Sequence, residues 1–272
     1  MTRRRLNSYT NFSFSSGLEI PGNKSRWVSI GKEMKKVLFF PLVLVFLISL
    51  GCLAPVLTPT PRPIPTPTPQ TPYLAQIELP QPRLKSNVSV EEALLHRRSI
   101  REYTNEPLTL EEVSQLLWAA QGITAKWGGR TAPSAGGLYP LEVYVAVGRV
   151  QGLNPGVYKY EPRGHKLNKI GVKDVRGELV KAALGQTWVG EGAIDIVITA
   201  VYERTMKKYG ERGIRYVHME AGHAAQNIYL QATALNLGMV VVGGFYDDQV
   251  KEVMSLAENE TPLYVIPVGR KK

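Results

Sequence analysis

Ten of the chain's nineteen prolines fall between residues 53 and 82, in runs such as TPTPRPIPTPTPQTP. Proline has no amide hydrogen to give to a helix or a ladder and fixes its own φ, so a segment this dense in proline is confined to extended polyproline II. That stretch reads as a spacer. It divides the 272 residues, and residues 83–272 are left as the one piece long enough for a sizeable core.

The segment before the spacer reads as an export signal. Met34, Lys35 and Lys36 precede a mainly apolar run from Val37 to Leu50, followed by Gly51 and Cys52. This is the order of basic n-region, h-region and small residue before a cleavage point. Fourteen residues are short for a bilayer span. Cys52, the chain's one cysteine, stands in SLGC, where a lipoprotein signal places its lipidated thiol, although Ser49 occupies a position where such signals usually carry Leu. An uncleaved signal anchor is the alternative. Residues 1–33 then form an upstream extension without a fold, residues 34–52 the signal, 53–82 the linker and 83–272 the working domain. Anchor, stalk and head place that domain on the extracytoplasmic face of the cell membrane.

The net charge of +10 invites a nucleic-acid reading until it is divided along the chain. Eight of the 33 lysines and arginines but only two of the 23 acids lie in residues 1–36, which accounts for six of the ten excess charges. A polyanion-binding domain carries its excess in the folded part, so nucleic acid is excluded as a partner.

Within the head the pattern is mixed. SVEEALLHRR predicts a short helix capped by Ser89 and running to about Arg97, and LTLEEVSQLLWAAQG repeats the device with Thr109 as cap and Gly122 as stop. LEVYVAVG and GVYKYEP read as strands, and AIDIVITAVY as a strand buried on both faces. The longest helix is predicted from Ile214 to Leu237, closed by Gly238, and apolar nearly all round, hence buried. MVVVGGF reads as a strand broken at Gly243 and Gly244, DDQVKEVMSLA as a helix and TPLYVIPVG as the last strand.

Several chemistries fail on residue type. His218 and His223 lie five apart, off the helical spacing that aligns two ligands, and no second cysteine assists, so no metal site is expected. Ser134 lacks the flanking glycines of a nucleophile elbow, and neither a GxGxxG after a strand nor a P-loop occurs. What remains is an anion site and two glycine-rich turns. Arg97, Arg98 and Arg101 with the Ser99 hydroxyl can grip a phosphate beyond a helix end, or simply form a solvated basic cap. APSAGGLYP offers backbone close to a ligand, and Gly243-Gly244 ends a buried strand, where a tight turn explains it equally well.

The ordered set of RRSIREY, PSAGGLYPLEVYV, GHAAQNIYLQATALNLG, VVGGF and PLYVIPVG resembles the nitroreductase superfamily, and within it the branch typified by SagB, the azoline dehydrogenase of streptolysin S-type peptide biosynthesis. The resemblance spans about residues 79–272. It implies an α+β fold with a central, mostly antiparallel sheet flanked by helices, a homodimer, and one FMN per subunit at the interface. It places Arg97, Ser99 and Arg101 at the flavin phosphate and ribityl chain, with Arg98 an added candidate. Ser134, Ala135, Gly136 and Gly137 would line the flavin, and Gly243 and Gly244 would face the reactive edge of its ring. Many relatives run past the last strand to bring a late basic pair to the phosphate, whereas this sequence ends at GRKK, so Arg270 or Lys271 is the substitute. Lys208 and Tyr209 match the branch's Lys-Tyr proton-transfer pair, and a solvated basic turn is the alternative.

The resemblance implies an oxidoreductase passing hydride between flavin N5 and a small organic substrate, with NAD(P)H as possible electron donor. Azoline dehydrogenation of a peptide is the second enzyme reading. A solute-binding lipoprotein without flavin is the reading from another class, since anchor, stalk and head describe those proteins as well.

Overall fold

The computed structural model describes residues 73–272. The extension 1–33, the signal with Cys52, and residues 53–72 of the linker lie outside the described residues. Among the described residues no helix is long and apolar enough to cross a membrane.

The elements, in chain order, are β1 (Ala75–Glu78), α1 (Val90–His96), α2 (Leu110–Gln121), a 3₁₀ turn (Ala135–Gly137), β2 (Leu141–Val147), β3 (Gly156–Glu161), β4 (Lys166–Gly171), α3 (Arg176–Ala182), α4 (Trp188–Glu191), β5 (Ile194–Ala200), α5 (Tyr202–Tyr209), α6 (Arg212–Ala234), β6 (Leu237–Met239), α7 (Asp247–Met254) and β7 (Thr261–Arg270). The strands form one seven-stranded sheet in the order β1-β4-β3-β2-β5-β7-β6, with every pairing antiparallel. The α+β class is as the sequence implies.

Strand alternation sorts the side chains onto two cores. Val143, Val145 and Val147 of β2 join Ile194, Ile196 and Ile198 of β5 on the face covered by α2 and α6. Tyr144, Ala146 and Val197 point to the opposite face, under α3 and α7. Central β5 is buried along its whole length, as its unbroken apolar run predicts. Burying each of these aliphatic side chains contributes about 1.5–3 kcal/mol, which fixes the register against a one-residue slip.

Both early helices start as their caps dictate. Ser89 with Glu92, and Thr109 with Glu112, form complete capping boxes, and Gly122 ends α2. The long helix departs from expectation at two points. It stops at Ala234, because Asn236 takes the left-handed conformation (φ 57°) before Gly238 is reached, and Leu237–Met239 then pair with β7 as β6. It is also one-faced: Val217, Ala221, Ala224, Ala225, Ile228 and Ala232 are buried, while Arg215, His218, Met219 and His223 are exposed. The strand expected over MVVVGGF is shorter, since the Val241 amide donates to the Tyr229 hydroxyl (3.1 Å) rather than to β7, and only Val242 bridges Val265. Finally, β1 pairs with β4 although its residues fall within the stretch read as linker.

Candidate active site

The arginine cluster follows α1 directly. The Arg97 amide donates to Ala93 O (2.9 Å) as the helix cap, and the Ile100 amide donates to Met239 O (2.9 Å), fastening the extended segment to β6. Tyr229, on α6, then organises it. Its hydroxyl lies 2.9 Å from Ser99 Oγ, and the Arg97 guanidinium sits 5.0 Å from its ring centroid. Arg101 rests 5.6 Å from the ring of Trp188 on α4. Neither Arg97 nor Arg101 has an acidic partner among the described residues, so two guanidiniums flank Ser99 with their charge uncompensated. Arg98 is placed differently: it donates to Leu95 O (3.0 Å) and Arg97 O (2.7 Å), satisfying carbonyls at the end of α1.

The same Tyr229 hydroxyl that meets Ser99 also accepts from Val241, two residues before Gly243. One side chain thus couples the cation cluster to the glycine turn. Gly243 and Gly244 are exposed, and Gln186 Nε2 donates to Gly244 O (2.9 Å) and to Ala183 O (2.9 Å), holding the turn against the loop after α3.

The turn Ala135–Gly137 is braced by its own residues. Ser134 Oγ accepts from the Tyr139 amide (2.9 Å), Ser134 O accepts from the Gly137 amide (3.0 Å), and Gly136 and Gly137 both take φ 64°. A methyl group added at Gly136 would stand 2.8 Å from the Tyr209 hydroxyl and 3.0 Å from Lys208 Nζ, whereas one at Gly137 would meet open space. The last turn of α5 therefore delivers both polar side chains onto Gly136. Arg204, earlier in α5, locks this approach by donating to Tyr139 O (3.0 Å) and pairing with Glu142 (2.5 Å). Tyr209 in turn meets Tyr216 edge to face, with centroids 5.1 Å apart.

Beside this turn is a cavity of about 290 Å³, lined by Pro133, Ser134, Ala135, Tyr216, Met219, Glu220 and His223. Burial raises the Glu220 carboxyl from 4.5 to about 7, against the opposing pull of the Ser134 hydroxyl and the Arg130 guanidinium. Glu220 and Tyr229 are about 13 Å apart along α6, at roughly 1.5 Å per residue, so one helix spans from the Gly136 turn to the arginine cluster.

Residues 94–270 match the nitroreductase family. The chain belongs to that family. A nitroreductase of Methanocaldococcus jannaschii is 49% identical over 196 residues, covering 72% of this chain and 96% of that protein. The crystal structure of a nitroreductase from Ralstonia eutropha JMP134 superposes with a TM-score of 0.64 at 35% identity, over 72% of this chain and 90% of that one. The Escherichia coli microcin synthetase McbBCD complex, with truncated pro-MccB17 bound, contains a chain that matches with a TM-score of 0.56 at 25% identity, over 71% of this chain and 77% of that one. The protein is accordingly an FMN-dependent oxidoreductase with likeness to the SagB-type branch. Membership of an enzyme family replaces the solute-binding alternative.

In this nitroreductase the late basic residue is not the one expected. Arg270 forms a two-pronged pair with Glu112, Nη1 to Oε1 at 2.6 Å and Nη2 to Oε2 at 2.9 Å, and Glu112 Oε2 also accepts from the Thr109 amide. It reinforces the α2 cap and is committed there. Strand alternation turns Lys271 the other way, where it packs with Ile100 around Gly238 and donates to Asn236 Oδ1 (3.2 Å). Of the two, Lys271 lies beside the arginine segment. Tyr229, Trp188, Gln186, Arg204 and Glu220 had no mark in the sequence beyond being polar or aromatic residues in helices and loops.

Proposed function

We propose that the chain binds FMN with its phosphate between Arg97 and Arg101, assisted by Ser99, and transfers hydride between flavin N5 and a small organic substrate. The observation that carries this reading is the pair of uncompensated guanidiniums around Ser99, coupled through Tyr229 to the Gly243–Gly244 turn. The donors suit a phosphate dianion, and the open face at Gly137 and the exposed Gly243 and Gly244 let backbone approach a flat ring closely. Bound FMN supplies the hydride chemistry at N5, and NAD(P)H is the electron donor in this reading.

The chain's own groups do the rest. Arg97 and Arg101 anchor and offset negative charge, Tyr229 and Gln186 hold the backbone turn in place, and Lys208 with Tyr209 hold protons at Gly136, where a substrate over the ring receives or gives one. The exposed stripe of α6, with Met219, and the exposed Leu94 and Leu95 of α1 fit a homodimer in which each subunit covers the other. The test is direct. Purified protein should be yellow and release FMN on denaturation in amounts approaching one per chain; a colourless protein that takes up no added FMN defeats the reading.

The arrival of Lys208 and Tyr209 at Gly136, together with the likeness to the microcin synthetase chain, favours a second reading, azoline dehydrogenation on a peptide. Oxidation of a thiazoline-bearing peptide that fails in Lys208→Ala while FMN stays bound supports it; reduction of small nitro compounds with no effect on such peptides favours the first. We further infer from the signal-like run and Cys52 that a lipid holds the domain at the outer membrane face. Cys52→Ser should then release the protein into the soluble fraction.

A further inference from the structure

Glu220 sits on the buried stripe of α6 with only 2% of its surface exposed, and its Oε1 has no hydrogen-bond partner. A carboxyl taken from water without a partner is penalised. The Ser134 hydroxyl and the Arg130 guanidinium are the polar groups beside the carboxyl, and neither gives Oε1 a hydrogen bond. Ser134 Oγ accepts from the Tyr139 amide, while Arg130 donates to Gln121 Oε1 (2.9 Å) and stacks on the Tyr139 ring (4.4 Å). Glu220 lines the cavity of about 290 Å³, whose other walls are mainly apolar: Pro133, Ala135, Tyr216 and Met219. Tyr216 joins this cavity to the Lys208–Tyr209 pair through its edge-to-face contact with Tyr209.

We propose that this cavity is a substrate subsite for an organic ammonium group on a small apolar body, with Glu220 as its counter-ion. The inference rests on the oxidoreductase reading, to which it adds a substrate class. The apolar walls take the body, the Tyr216 ring adds an aromatic wall, and the Glu220 carboxyl, whose Oε1 has no partner, receives the N–H donors. Burial raises the titration of Glu220 despite Ser134 and Arg130, and an ammonium group bound beside it would draw the value back down.

The test is calorimetric titration of the purified full-length protein with benzylamine and with benzyl alcohol, which shares the ring and lacks the charge. At about pH 8.5 the parent should bind benzylamine at least about tenfold more tightly than benzyl alcohol, and Glu220→Gln, shown folded by its thermal transition, should bind the two alike. Without any variant at Glu220, benzylamine should bind more weakly at about pH 5.5 while benzyl alcohol is unchanged. His223 lines the same cavity, so this shift must persist in His223→Gln. Equal affinity for amine and alcohol in the parent, an amine preference surviving Glu220→Gln, or binding of neither probe overturns the proposal. Flavin content is measured separately: FMN-loaded protein without amine preference sinks the subsite alone, and amine preference in protein that takes up no FMN sinks the flavin reading alone.

Discussion

The hydroxyls of Ser99 and Tyr229 lie 2.9 Å apart, joining a loop after α1 to a helix 130 residues later in the chain, and the Tyr229 hydroxyl also accepts from the Val241 amide. Tyr229→Phe keeps the ring under Arg97 and deletes both bonds. Each is worth about 0.5–1.5 kcal/mol, so stability in urea should fall by about 1–2 kcal/mol and FMN affinity several-fold, measured by flavin fluorescence. Unchanged affinity would show that the arginine segment is held by Ile100 and β6 alone.

Gly136 is the point where Lys208 and Tyr209 converge, at a positive φ. Gly136→Ala introduces strain costing about 1 kcal/mol or more and pushes both side chains away. Turnover should fall by a larger factor than FMN affinity, and Gly137→Ala, which carries the same φ but meets open space, separates strain from displacement. Equal turnover in the two variants would remove Lys208 and Tyr209 from the chemistry.

Much of this was legible in the sequence where the signal is local. The capping boxes at Ser89 and Thr109, the unbroken apolar run of β5 and the clusters RRSIREY and PSAGG all announce themselves within a dozen residues. The short helices α3, α4 and α5 and the polar strand β4 carry too little periodicity to read, and β1 hides against a run of prolines whose character masks the AQIE segment. At the site, sequence places Arg97, Arg98 and Arg101 on equal terms. Only tertiary structure separates them, giving Arg98 to helix carbonyls and leaving the other two over aromatic rings. Arg270 and Lys271 are likewise neighbours in sequence and opposites in direction, and Glu220 reads as an ordinary helix acid until its burial is seen.

Arg270 provides a structural control. Its pair with Glu112 is largely shielded, with side-chain exposures of 28% and 15%, so Arg270→Ala should cost roughly 1–3 kcal/mol of stability by urea unfolding. It should leave the preference for FMN over riboflavin intact. A lost preference would return Arg270 to the phosphate site.

Glu220 gives a pH signature. Its carboxyl is raised from 4.5 to about 7 in the folded protein, so the folded state holds the proton more tightly than the unfolded chain. Well below pH 4.5 both states are protonated and no ionisation penalty applies; through the window up to about 7 the penalty grows, and above it the penalty is complete, on the order of 3 kcal/mol. Glu220→Gln should therefore gain stability relative to the parent at pH 8 and little at pH 4.5, in paired urea titrations. A gain independent of pH would mean that charge is not its cause.

The central claim is that Arg97 and Arg101 hold the flavin phosphate, and comparing FMN with riboflavin in Arg97→Ala tests it most directly. Loss of one charge-assisted hydrogen bond, about 1.5–3 kcal/mol, predicts FMN binding about ten- to a hundredfold weaker, while riboflavin, which lacks the phosphate, binds parent and variant alike. Apoprotein stability should change by no more than about 1 kcal/mol, the scale of a half-buried cation over an aromatic ring. If Arg97→Ala weakens both flavins equally, or neither, the cluster is a solvated cap on α1 and the phosphate lies elsewhere.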